Sequence, residues 1–275
     1  MTRNGCFPNT ANFCSCANSL PTQPIIYRET APCMALSPFI DAFWTVTGAN
    51  KADQTDRILP DGCVDIILNT GPAFITEQGM TRMCSGEAYL VGTMTRFKDM
   101  IRPPGTQLYG IRFKPGGFTC FYDPLFLRST ADSTVLFDRS LFPLLADRSL
   151  PASRGPLSDP ANALNRYFLD RLRPASRDLL PLLADIRESR GRFTVDQLAR
   201  RHFLTARTME RLFDRHLAIG PREFLNFTRL QSALESIRRR NGKTLLDIAC
   251  EHGYYDHAHL SNAVRKHTGS APSGL

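Results

Sequence analysis

The 275-residue sequence predicts an α+β protein of two domains, a β-rich, barrel-like N-terminal domain and an all-α C-terminal domain with two helix-turn-helix units. Three observations predict it. First, the last hundred residues hold two similar amphipathic patterns, Leu198 to Phe213 and Ile248 to Val264, separated by a long helical segment. Second, residues 25 to about 140 consist of short apolar runs broken by Pro- and Gly-containing turns, the pattern of a small sandwich or barrel. Third, positive charge gathers at the C-terminal end: residues 176–275 carry 17 Lys/Arg against 11 Asp/Glu, and the first 175 carry 17 against 15.

Four segments follow from these patterns. Residues 1–24 are rich in Asn, Thr, Pro and Cys without periodicity and read as a disordered tail. Residues 25–148 form the β-rich domain, for sensing or dimerisation. Within it Arg57 to Leu59 and Cys63 to Leu68 are expected as strands around the turn Pro60-Asp61-Gly62, where Pro presets one dihedral and Gly accepts positive φ. Ala88 to Gly92, Leu108 to Phe113 and Val135 to Phe137 are further strand candidates, and a helix is expected through Pro38 to Trp44. Residues 149–175 read as a linker and a connecting helix.

Residues 176–275 form the double helix-turn-helix domain. Helices are expected at Ser176 to Arg190, Val195 to Arg201, Pro221 to Arg240, Leu245 to Glu251 and Asp256 to His267. Thr194 and Thr205 are N-cap candidates, and Pro221 suits a first-turn position, where its missing N–H costs nothing.

In a unit of this kind the first helix braces and the second enters the major groove. A 20-residue helix from Pro221 spans roughly 30 Å, close to the ~34 Å of one DNA turn, so one chain can address two adjacent grooves. The outward residues of the first reading helix are Thr205, Arg207, Thr208, Glu210 and Arg211, with Arg215 and Arg222 suited to phosphate. Those of the second are Asp256, His257, His259, Ser261, Asn262 and Arg265. Arg pairs bidentately with guanine, Asn with adenine, and Glu accepts from cytosine. Met209, Leu212, Phe213, Leu260 and Val264 are expected in the core, and Cys250 is expected to pack there too. Phe203 stands where the second unit has Gly253, so either a bulky residue takes a left-handed conformation or the turn is built differently.

Composition narrows the function. A net charge of +8 and a pI near 9.3 favour an acidic partner such as nucleic acid, and the doubled helix-turn-helix pattern narrows this to double-stranded DNA. No stretch reaches the roughly 18 apolar residues of a membrane span, and no basic start leads into an apolar run, so a cytoplasmic protein without membrane contact is expected. The eight cysteines then read as free thiols. All six histidines follow residue 200, which excludes a His-ligated metal in the N-terminal domain. His257 and His259 are two apart and make a poor zinc pair. No cofactor, metal or catalytic residue is expected, because the chain has no nucleophile elbow, P-loop or dinucleotide fingerprint. An enzyme using Asp61 and Asp65 is the weakest alternative, since Asp beside such a turn serves turn chemistry. Thiol sensing by Cys33, Cys63, Cys84 and Cys120 is another.

The C-terminal residues resemble the AraC/XylS family of bacterial transcription regulators. The likeness is carried by Leu198-Ala199, Arg207 to Phe213, Pro221, Arg229-Leu230, Ile248-Ala249, Gly253 to Leu260, and Gly269 to Pro272. Phe203 and Ala218 depart from the family's Gly, and Val264 from its Phe. Ile58 to Ile67 and Gly110 to Gly117 resemble, more weakly, a domain of unassigned role found in front of such regulators. The resemblance implies a cupin-like fold that senses an unidentified small-molecule effector or mediates dimerisation. It leaves open monomer or homodimer, and implies RNA polymerase as a further partner.

Overall fold

The computed structural model describes residues 13–14, 26–48, 52–76, 81–138, 160–173, 179–239 and 242–274. The linker residues 149–159 and most of the expected N-terminal tail lie outside them. Six antiparallel strands make the main sheet of the N-terminal half. At its centre run β5 (Val64–Asn69) and β10 (Gln107–Phe113), with β3 (Ile40–Thr47) and β2 (Ile26–Thr30) on one side. On the other side lie β8 (Ala88–Val91) and β11 (Thr134–Phe137). Among the described residues the sheet stays open, with β11 and β2 as its edges. β1 (Phe13–Cys14), β4 (Gln54–Ile58) and β9 (Lys98–Arg102) form a second sheet, and β6 (Phe74–Thr76) pairs with β7 (Thr81–Met83).

Alternation along the central strands sends side chains to two cores. Val64, Ile66, Ile111 and Phe113 join an aromatic cluster with Phe118, Phe121 and Phe168. Trp44, Val46 and Leu108 join Met83 and Met100 on the opposite face. This two-sided burial corrects the helix expected at Pro38 to Trp44. Ile40 to Trp44 belong to β3, an interior strand with Ile40 and Phe43 in one core and Trp44 in the other. A strand buried on both faces is a continuous apolar run, which periodicity does not distinguish from a buried helix. α1 (Pro160–Leu169) lays Leu164 and the fully buried Phe168 against the first cluster.

The C-terminal half is helical: α2 (Leu179–Glu188), α3 (Val195–Arg201), α4 (Ala206–Leu217), α5 (Pro221–Arg239), α6 (Leu245–Glu251) and α7 (His257–Thr268). α5 supplies both of its cores. Phe224, Leu225 and Phe227 pack with α2, α3 and α4; Leu230, Ala233, Leu234 and Ile237 pack with α6 and α7. Thr194 and Thr244 close capping boxes, and the side chains of Thr205 and Asp256 cap the two reading helices.

The two units differ in their turns. Phe203 has φ 55° and its counterpart Gly253 has φ 70°. The first turn therefore keeps its left-handed residue despite the bulky side chain. The second turn is one residue longer, and the extra residue is Tyr255. The C-caps repeat the contrast, with Ala218 at φ 58° and Gly269 at φ 72°.

Both reading helices end against the N-terminal half. Thr93 Oγ1 donates to Leu217 O at 2.7 Å, and Arg57 Nη1 donates to Thr268 O at 3.4 Å. Leu217 and Thr268 are the last residues of α4 and α7. Thr119 Oγ1 lies 2.7 Å from His216 Nδ1, and Gln231 of α5 donates to Pro60 O.

Two outcomes are expected. Ala218→Gly should raise stability by about 1 kcal/mol, because a left-handed residue with a Cβ is strained, whereas Gly253→Ala should lower it by a similar amount; chemical denaturation midpoints read both. Burial, helped by Arg215, holds the His216 imidazole below its ordinary pKa. The folded state therefore favours neutral His216, and this stability is lost as pH falls below about 6.5. The stability of His216→Gln relative to the parent should rise as pH falls from about 7 to about 5.

Candidate nucleic-acid interface

The reading helices present their polar faces because their apolar faces are committed. In α4, Met209, Phe213 and Leu217 are buried, and Arg207, Thr208, Glu210, Arg211 and Arg215 are exposed. Arg207, Arg211 and Arg215 recur every four residues, so they form one stripe along the helix. Three like charges in a row repel one another, and a polyanion such as a phosphate backbone relieves that repulsion. Glu210 sits beside the stripe. Thr205 and Thr208 are exposed but engaged with each other, their hydroxyls 2.8 Å apart and Thr205 Oγ1 accepting from Thr208 N at 3.1 Å.

α7 is built differently. Leu260, Val264 and Thr268 are buried; His257, His259, Asn262 and Arg265 are exposed. Asp256 is half-buried and accepts from His259 N at 2.7 Å. Ser261 is half-buried and donates to His257 O at 2.7 Å, a local bond that competes with an outward role. The His259 ring stands edge-on to Tyr254 at 5.2 Å, and its Nδ1 accepts from Tyr255 N at 3.4 Å. Of the six residues expected to face outward in the second unit, three are thus occupied in shaping it. Arg222 is exposed in the first turn of α5.

Two exposed residues escaped the sequence reading as contacts. Phe203 is 96% exposed and Tyr255 is 90% exposed, one in each turn leading into a reading helix. Apolar rings in a turn suggest packing, and only the backbone direction at φ 55° shows that Phe203 points outward. Cys250 is exposed rather than packed: on α6 the inward positions are Ile248 and Ala249.

Among the described residues no cluster of three or more His, Cys, Asp or Glu is placed to hold a metal ion. Cys63 and Cys120 are buried, Cys33 is half-buried and Cys84 is exposed. Burial pushes the Cys120 thiol up to about 11, which keeps it protonated and a poor nucleophile.

Residues 198–275 match a family model described as a helix-turn-helix domain, and residues 28–135 match a domain of unknown function, DUF6597. A stretch of 92 residues is 28% identical to an uncharacterized HTH-type transcriptional regulator of Haemophilus influenzae. It covers 34% of this chain and only 30% of that relative. Among solved structures, ToxT from Vibrio cholerae is similar at 10% identity and TM-score 0.45, over 84% of this chain and 97% of that one. The DNA-binding domain of AdpA, solved with a target DNA, is similar at 24% identity and TM-score 0.33, over 36% and 89%. The AraC-like activator CuxR is similar at 13% identity and TM-score 0.32, over 78% and 96%. The chain thus carries a helix-turn-helix domain behind a β-rich domain of unknown function.

Proposed function

We propose that this protein is a sequence-specific DNA-binding regulator of transcription, without catalytic turnover, that answers to a small molecule through its β-rich domain. The observation that carries the reading is the pair of capped, outward-facing helices α4 and α7 mounted on one shared helix. α5 has 19 residues and spans roughly 28 Å, close to one turn of B-DNA. A single chain can then seat α4 and α7 in successive major grooves of a promoter, and a second copy is not required for two contacts.

Arg207 and Arg211, with Glu210 between them, carry the base reading; Arg215, Arg222 and Arg265 meet phosphates. Thr205, Thr208 and Asp256 set the helix starts. His257, His259, Ser261 and Asn262 position the second unit, with Asn262 its best candidate for reading adenine. Among the described residues no helix is long and apolar enough to cross a membrane, which fits action on DNA in the cytoplasm. An activating role adds RNA polymerase as a partner.

Selection of bound duplexes from a random pool tests the reading. A preferred sequence should emerge, with affinity that falls steeply with salt. Arg207→Ala and Arg211→Ala should each weaken the selected site by about tenfold to a hundredfold and non-specific DNA much less. Arg265→Ala should weaken all duplexes alike. Equal binding of every duplex at physiological salt would overturn the proposal.

A further inference from the structure

Among the sheets of the β-rich domain lies a partly open cavity of about 90 Å³. Its walls are mostly apolar, with Trp44, Val46, Met83, Met94, Met100 and Leu108 among them. The indole of Trp44 lies across Gly110, its register partner on β10, where a Cβ would come within 1.9 Å of the ring. Gly110 therefore clears the floor on which the indole rests.

One side of the cavity is charged. Asp65 on β5 stands directly opposite Arg112 on β10. Arg112 Nε lies 3.4 Å from Asp61 Oδ2 and 3.6 Å from Asp65 Oδ1, and Arg112 Nη1 lies 3.3 Å from Glu29 Oε1. Asp41 adds its own negative potential to Asp65. The cations nearby are Arg112, Lys98 on the lining, and Lys114, whose Nζ donates to Ser37 O at 2.7 Å.

Arg112 is thus shared among three carboxylates, and little of its charge is left to attract an acid. Asp65 Oδ1 accepts from Trp44 Nε1 at 2.7 Å, and the Tyr27 and Trp44 rings lie 6.2 Å apart at 36° beside it. Aromatic faces next to a carboxylate are the usual means of holding an organic cation. Burial pushes the Asp65 carboxyl up to about 7; Arg112 opposes the rise, and Asp61 and Asp41 add to it. A positive guest would relieve that excess of negative charge.

We propose that this cavity binds an amphiphilic organic cation, a molecule with a compact apolar body and an ammonium or amidinium head, held by Asp65, Asp61 and the rings of Trp44 and Tyr27. This rests on the effector role proposed above and gives that effector a chemical class. The position of Asp61 connects the guest to the reading helices. Its turn, Pro60 to Gly62, touches α5 from the other side: Gln231 donates to Pro60 O, and the Phe227 ring lies where a Cβ on Gly62 would come within 2.7 Å. A head group that engages Asp61 therefore acts on the turn against which α5 is seated.

Trp44 is the single tryptophan of the chain, so its emission reports the cavity directly. The test titrates the full chain with 1-adamantylmethylamine, 1-adamantanemethanol and adamantane-1-carboxylate. The amine is expected to bind at least about tenfold tighter than the carboxylate, with the alcohol between them. Its affinity should rise between about pH 6 and about pH 8 as Asp65 ionises. Asp65→Asn and, separately, Asp61→Asn should reduce the amine toward the alcohol and leave the alcohol's affinity in place, which shows that the variant still folds. Equal or reversed preference, or no response of Trp44 to any of the three, overturns the proposal. Binding of a selected duplex by the same preparation separates the two ideas. Duplex preference without an amine response overturns the cation site alone; an amine response without duplex preference supports the site and overturns the regulator.

Discussion

The helix α5 is the constraint on which the C-terminal half depends. It is apolar on more than one face because it belongs to two cores: Phe224, Leu225 and Phe227 serve the first unit, and Leu230, Leu234 and Ile237 serve the second. Neither unit can bury its brace and reading helices without it. The shared helix couples their folding and fixes their spacing at once. Each reading helix is then held at both ends, by Thr205 or Asp256 at its start and by a bond from the β-rich domain to its last carbonyl. Orphan carbonyls at a helix end need partners, so the contact between the halves is also helix capping.

The β-rich half uses its central strands as a partition. One face of the six-stranded sheet holds the Phe113, Phe118, Phe121 and Phe168 cluster and is solidly packed. The other face holds Trp44 and the methionines around unfilled space, with charge at one side. The two cores are thus separated by the thickness of one sheet. Met lining suits such a space, since an unbranched thioether adapts its shape at little cost.

Much of the helical half was legible in the sequence because its signals are local. Thr194, Thr205 and Pro221 mark helix starts by side-chain chemistry that acts within one turn, and the observed starts at Val195, Ala206 and Pro221 follow them. The β-rich half was legible where turns announce themselves, as at Pro60-Asp61-Gly62. It was not legible at Ile40 to Trp44, where burial on both faces erases the alternation. The cavity was hidden for another reason. Asp65 and Arg112 meet through strand register, and nothing near either residue in the sequence announces the other. Asp61 was read as turn chemistry and does serve it, since its Oδ1 accepts from Cys63 N at 2.9 Å. Its other oxygen faces Arg112, a second duty that only the folded chain displays.

The single extra residue Tyr255 makes the second turn longer than the first, so α7 leaves its brace at a different register from α4. The units also differ in chemistry, a stripe of arginines on one and histidines with an asparagine on the other. A symmetric dimer on a palindrome looks the same from either end of the duplex. A chain with two unequal readers in series does not. On the function proposed above, a seated chain would have a front and a back along the DNA axis. Inverting its site relative to a gene would then turn the β-rich domain to face the opposite way.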